Sequence, residues 1–133
     1  MDDTKLAGDP VLGTLALLGT SHVSDALDKL GINGQCMGLL PLVRDSRLAG
    51  RAFTVRYVPV TIGGVRVEPG DYLLGDADGV VVAPAGRASE IIDIAHGIRQ
   101  AEENIRAAIE SGQSLGDARR QYGYHQLQTR GQA

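Results

Sequence analysis

The chain has 133 residues, 43% of them hydrophobic and 22% charged, which is typical of one soluble globular domain with its own core. A net charge of −3, with scattered basic residues, argues against binding to nucleic acid or to an anionic membrane surface. No apolar run is long enough for a signal peptide or a membrane span, and the single cysteine, Cys36, has no internal disulfide partner. We therefore expect a cytoplasmic protein.

Short helices are predicted in the first third of the chain. The segment Val11 to Leu18 has helical character, and the segment from Ser21 to Gly31 has an apolar face, a serine that could cap its first turn, and a terminating glycine. Residues 34 to 50 read as a loop-rich link. The alternation in Arg51 to Val58 then predicts a strand.

Three short β-segments follow, each separated from the next by a turn. Gly63-Gly64 predicts a tight hairpin, and Pro69-Gly70-Asp71 predicts the next reversal. A strand from Tyr72 to Leu74, a turn at Asp76 to Gly79 and a buried strand at Val80 to Val82 complete this β layer.

The longest predicted helix runs from Gly86 to about Ser111. Its apolar positions recur at intervals of three and four, as in a helix with one face toward a core. Ser114 is expected to cap a short helix that fades toward Tyr122 and Tyr124. The polar tail from His125 is expected to fray.

Three blocks of this sequence stand out: VSDALDKLG (23–31), SRLAGRAFTVR (46–56) and VTIGGVRVEPGDYLLGDADGVVVAP (60–84). Their residues and order resemble the RraA-like family, which includes the regulator of ribonuclease activity and metal-dependent 4-hydroxy-4-methyl-2-oxoglutarate aldolases. The resemblance implies an α/β fold, specifically a β/β/α layered domain of the swivelling type, over residues 1–133. It also implies a homo-oligomer, with a ring-shaped trimer favoured. The low aromatic content independently suggests burial against other copies.

The chain departs from the family pattern at its centre. Family members carry a glycine-rich loop and a D-G-x-x-R-D motif between the TVR and VTIGG strands, and here Tyr57 to Val60 joins these two blocks directly. In the aldolases the motif arginine grips the oxo-acid carboxylate and the aspartate anchors a divalent cation. Neither has a counterpart here, and Arg44-Asp45 aligns with an ordinary family loop. The chain is therefore expected to be an internally shortened member.

Candidate metal ligands remain in the sequence. Asp76 and Asp78 could hold Mg²⁺ or Mn²⁺ through carboxylate oxygens, although capping of their own turn is favoured because it explains both aspartates fully. The resemblance adds Glu102-Glu103, a family position where an acidic side chain can reach a neighbouring subunit's site, and Glu103 is the preferred candidate of the two. The alternative is a solvated helix face in which Glu102 and Glu103 pair with Arg99 and Arg106.

Candidate acid–base residues form a separate set. His22 lies in the first turn of a predicted helix and could act as a general base, although a surface role is the simpler interpretation. Asp25, Arg56 and Tyr57 complete this set of catalytic candidates.

Three functions stay open at this point. The first is a metal-assisted lyase that performs retro-aldol cleavage or decarboxylation of a small oxo-acid. The second is a non-catalytic oligomeric regulatory or binding protein. The third is a metal-free acid–base enzyme acting on a different small molecule.

Overall fold

The computed structural model describes residues 8–43, 45–53 and 60–124. The helices are α1 (Pro10–Leu15), α2 (Thr20–Lys29), α3 (Ala88–Glu110) and α4 (Leu115–Gln121), with a 3₁₀ turn at Ala85–Arg87. The strands are β1 (Gln35–Cys36), β2 (Leu48–Arg51), β3 (Val60–Ile62), β4 (Val65–Val67), β5 (Tyr72–Asp76) and β6 (Gly79–Ala83). No helix within the described ranges has the length and apolarity needed to cross a membrane.

Two antiparallel sheets form the β layers. One sheet has the order β1-β6-β5-β2, and the other is the β3-β4 hairpin. Gly63 and Gly64 close this hairpin with φ of 54° and 84°, the left-handed conformation that a tight turn requires. The sequence prediction of this turn is confirmed.

Strand β6 separates the two larger apolar cores of the described structure because its side chains alternate between the faces of the sheet. Val81 and Ala83 pack toward the helices, together with Leu27 of α2 and Ile91 of α3. Val82 packs on the opposite face, against the hairpin. The layers are therefore helices, sheet and hairpin, which confirms the expected β/β/α arrangement.

Helix α3 packs mainly against α2, its most extensive helix neighbour. The positions Ile91, Ala95, Ile98 and Ile105 are buried, as the three-and-four spacing predicted. Near its C-terminal end, α3 packs against Ala118 of α4 in a smaller apolar cluster. Ile109 is 41% exposed in this part of the helix. The predicted cap of α4 is confirmed, since Ser114 Oγ accepts a hydrogen bond from the Asp117 N–H at 3.1 Å.

Two sequence predictions are wrong in position. Helix α2 begins at Thr20, so its N-cap is Gly19 and not Ser21. Strand β2 lies at Leu48–Arg51, ahead of the predicted strand, because its ladder with β5 runs from the Leu48–Gly75 pair to the Arg51–Tyr72 pair. The part of the predicted strand from residue 54 onward lies outside the described residues.

Strand β1 falls in the segment predicted as a loop, and its two residues pair with Val81 and Val80 of β6. A two-residue strand has no periodicity that a sequence pattern could reveal.

Candidate functional site

The Asp76 carboxylate at the end of β5 caps helix α2. Its Oδ2 accepts a hydrogen bond from the Thr20 N–H at 2.8 Å, and its Oδ1 accepts one from the Thr20 hydroxyl. The same Oδ1 also accepts the Asp78 N–H at 3.0 Å, which closes the β5–β6 turn. Because Gly19 has no side chain to cap the helix, this aspartate supplies the cap from the sheet.

The environment of Asp76 favours its ionised form. Burial alone would raise the pKa of this carboxyl, but the hydrogen bonds from the side chain and backbone of Thr20 act against burial. The Asp78 N–H and the positive charge of Arg47 act in the same direction, and the pKa lies below its ordinary value of 3.8. The carboxylate is therefore charged near neutral pH.

Two arginines hold the turn that precedes α2. Arg47 Nη2 donates to the Leu18 carbonyl at 2.7 Å, and Arg99 Nη1 on α3 donates to the Leu17 carbonyl at 3.4 Å. These carbonyls follow α1 and would otherwise lack partners within the turn. The α1–α2 turn is thus fixed from the sheet and from α3.

His22 links α2 to α3. Its Nε2 lies 3.0 Å from Glu102 Oε2, with the histidine side chain 20% exposed. Its Nδ1 is buried without a hydrogen-bond partner among the described residues, and a methyl group at Gly19 would lie 3.2 Å from it. The imidazole therefore sits tightly between the helix start and α3.

A cleft of about 300 Å³ lies beside the first turns of α2. Ser21 and Ser24 of α2, Gln35 of β1 and Asp78 supply its polar groups. Among the sequence-predicted candidates that the structure describes, Asp78 alone lines this cleft, and His22 and Asp25 lie elsewhere on α2. The cleft can accommodate a small molecule with hydroxyl or amide groups.

The structure separates the predicted metal ligands within one chain. Asp76 and Asp78 share the β5–β6 turn, whereas Glu103 lies on α3 and pairs with Arg99 at 2.8 Å. Across residues 8–43, 45–53 and 60–124, no three His, Cys, Asp or Glu side chains form a group that could hold a metal ion. With three donors already on Asp76, the described residues of a single chain do not fit a divalent cation.

Of the other catalytic candidates, Asp25 lies half-buried on α2, one turn after His22. Arg56 and Tyr57 lie outside the described residues, as does Arg44.

Sequence reasoning missed Thr20 and Arg47, and it considered Glu102 only beside Glu103, without its contact to His22. A threonine at a helix start is a detectable signal, because its side chain and N–H are both available there. The contacts of Arg47 and Glu102 join distant segments, which no local pattern encodes.

The same architecture occurs in a solved structure from Streptomyces coelicolor, described as an unusual member of the RNase ES inhibitor RraA protein family. It matches with a TM-score of 0.65 and 20% identity, over 74% of this chain and 96% of that chain. The layers described above are therefore those of an RraA-type domain. A family model described as RraA-like, Aldolase/RraA, matches residues 56–82. The chain is therefore similar to RraA-like proteins in fold and over this stretch of sequence.

Curated relatives match part of this chain. Protein DlpA of Legionella pneumophila is 43% identical over 68 residues, which are 51% of this chain and 11% of that protein. A Halalkalibacterium halodurans protein named as a 4-hydroxy-4-methyl-2-oxoglutarate aldolase is 43% identical over 49 residues, or 37% of this chain and 23% of that protein. The chain thus spans less than a quarter of the length of either relative.

Proposed function

We propose that this chain is an RraA-like regulatory or binding protein that assembles with other copies of itself and does not carry out the family's metal-dependent lyase reaction. The observation that carries this proposal is the role of Asp76. Its carboxylate, the best-placed ligand for a divalent cation, accepts three hydrogen bonds that hold α2 and the β5–β6 turn together.

The sequence supports the same conclusion. No D-G-x-x-R-D motif occurs in the chain, so the arginine that would orient an oxo-acid carboxylate is missing. Polarisation by a cation without orientation of the substrate gives little rate acceleration, because most of the gain from positioning is lost. The Streptomyces structure, through its description as an RNase ES inhibitor family member, offers a precedent for regulation by binding.

Exposed apolar side chains support assembly. The loop that follows β1 presents Leu40 at 80% exposure and Leu42 fully exposed, with Met37 and Val43 beside them. Four large apolar side chains exposed on one loop are uncommon on a monomer and indicate an interaction site. The simplest way to bury this loop is a subunit interface, since the resemblance also implies a ring-shaped oligomer.

An activity assay tests the catalytic half of the proposal. Purified protein is incubated with oxaloacetate and Mg²⁺ or Mn²⁺, and pyruvate release is compared with the metal-only rate and with an EDTA control. We expect no protein-dependent release. An EDTA-sensitive rate above the metal-only rate would instead support the lyase, which the name of the Halalkalibacterium relative favours as the second candidate. In that case the site would need a carboxylate such as Glu103 from a neighbouring copy.

Sedimentation equilibrium tests the assembly half. The unmodified chain should be oligomeric, and a Leu40→Glu, Leu42→Glu double variant should shift to monomer because charge on the loop opposes its burial. The matched control is Leu115→Glu, an exposed leucine on α4. A monomeric unmodified chain, or an oligomer that only the control disrupts, would contradict this assignment of the interface.

A further inference from the structure

We propose that the groove between the C-terminal half of α3 and helix α4 binds a carboxylate that carries an apolar chain or ring. This groove encloses about 440 Å³, a size that suits a small organic ligand. It lies apart from the cleft at the start of α2, with which it shares no lining residue.

The floor of the groove is apolar. Ile105 and Ile109 lie one turn apart on α3, and Leu115 faces them from α4. Ile109 is 41% exposed and Leu115 is 48% exposed, so a bound apolar group would remove further hydrocarbon surface from water. Such burial contributes roughly 25 cal/mol per Å².

The walls carry two guanidinium groups. Within the part of the chain that the structure describes, Arg106 makes no hydrogen bond or ion pair. The Arg119 guanidinium lies over the Tyr124 ring, with Cζ 4.7 Å from the ring centroid. The Tyr124 ring contacts the face of the guanidinium, so the N–H groups at the edge of the guanidinium remain available to donate.

The carboxylates of the groove leave these two arginines unpaired. Glu102 Oε2 lies 3.0 Å from His22 Nε2, and Glu110 lies at the last turn of α3. Neither glutamate forms an ion pair with Arg106 or Arg119 in the described structure. Both guanidinium groups therefore keep N–H donors for a bound anion, and the planar fork of arginine matches a carboxylate through paired hydrogen bonds.

The ligand must offer both an apolar group for the floor and an acceptor for the arginines. A short acid would reach the arginines but leave the floor exposed, whereas a neutral chain of equal length would cover the floor and leave the arginines without an acceptor. A medium-chain or aromatic carboxylate satisfies both.

Titration of the full chain with octanoate, followed by the NMR shifts of the Ile105, Ile109 and Leu115 methyl groups, tests this proposal. Acetate and 1-octanol are the matched ligands, since each retains one feature of octanoate. We expect octanoate to bind at least about tenfold more tightly than either, because each missing feature removes a charge-assisted hydrogen bond or the apolar contact.

Variants locate the site. Arg106→Gln and Arg119→Gln should each weaken octanoate binding about tenfold, the usual effect of losing a hydrogen bond to a charged group. The control is Arg66→Gln on the hairpin, where the arginine pairs with Glu68 at 2.9 Å. The affinity of this variant for octanoate should equal that of the unmodified chain.

Three outcomes would overturn the proposal. They are equal binding of octanoate and 1-octanol, methyl shifts confined to residues outside the groove, and ligand-free shifts of these methyl groups that grow with protein concentration. The last would assign the groove to a second copy of the chain.

Discussion

The Asp76 carboxylate and the Thr20 backbone are joined by a hydrogen bond of 2.8 Å across 56 residues of sequence. The contact ties the start of α2 to the end of β5, so one side chain fixes the helix layer on the sheet. It also explains why an aspartate that resembles a metal ligand in sequence has a structural role in the folded chain.

Asp76→Ala should destabilise the protein by about 1–3 kcal/mol, because the first turn of α2 loses its cap and the Thr20 donors lose their acceptor. Asp78→Ala is the matched control in the same turn. Its side chain is exposed and its contribution to the turn is a backbone N–H, so a change within about 0.5 kcal/mol is expected. Urea unfolding measures both, and equal losses would contradict the capping role.

The contribution of Asp76 should depend on pH in a defined direction. Its folded pKa is lower than the ordinary 3.8, so the unfolded state binds the proton more tightly. The stabilisation is thus complete above the unfolded value and is lost as pH falls through the lowered folded value. The difference in unfolding free energy between the unmodified chain and Asp76→Asn should be constant above about pH 5 and should shrink below it.

Thr20→Val provides the control for this pH dependence. It removes one hydrogen bond that lowers the Asp76 pKa and should therefore weaken the dependence without abolishing it. A difference between the unmodified chain and Asp76→Asn that grows as the pH falls would reverse the assigned sign.

The His22–Glu102 contact should show measurable coupling between helices α2 and α3. A double-mutant cycle with His22→Gln and Glu102→Gln is expected to give about 0.5–1 kcal/mol, since the side chains are 20% and 36% exposed. The comparison pair is Arg99–Glu103, at 42% and 46% exposure on one helix, where about 0.3–0.5 kcal/mol is expected. A coupling energy near zero for the first pair would remove its role in joining the helices.

Gly34→Ala should be strongly destabilising. A methyl group there would overlap the Val82 carbonyl oxygen and lie 2.7 Å from Leu27 Cδ1, where the sheet and α2 are both packed. We expect a loss of roughly 1–3 kcal/mol. Gly97→Ala, in the exposed middle of α3 with open space around it, should stabilise by about 0.5–1 kcal/mol. Thermal unfolding of both variants distinguishes steric overlap from a general effect of the substitution.

The Cys36 thiol should react slowly in the native protein. Burial raises its pKa, and its residue is 5% exposed in strand β1. Iodoacetamide labelling, followed by mass spectrometry, should therefore be slow at neutral pH and become rapid on addition of urea. Labelling at the rate of a free thiol without urea would contradict the packing of this cysteine.

The sequence by itself determined most local elements and the resemblance to RraA-like proteins. Gly63-Gly64 fixed the hairpin because glycine enters the left-handed region freely, and the three-and-four spacing along α3 fixed its buried face. The linear blocks were also sufficient for the RraA-like resemblance, and a family model matches residues 56–82, which include most of the third block.

Only the tertiary structure decided what the polar residues do. Asp76 became the cap of α2, Glu102 became the partner of His22, and Glu103 stayed with Arg99 on its own helix. Carboxylates at these positions suit capping, ion pairing and metal binding equally well as residue types. The choice depends on which donors the fold brings within about 3 Å, and segments separated by tens of residues supply those donors.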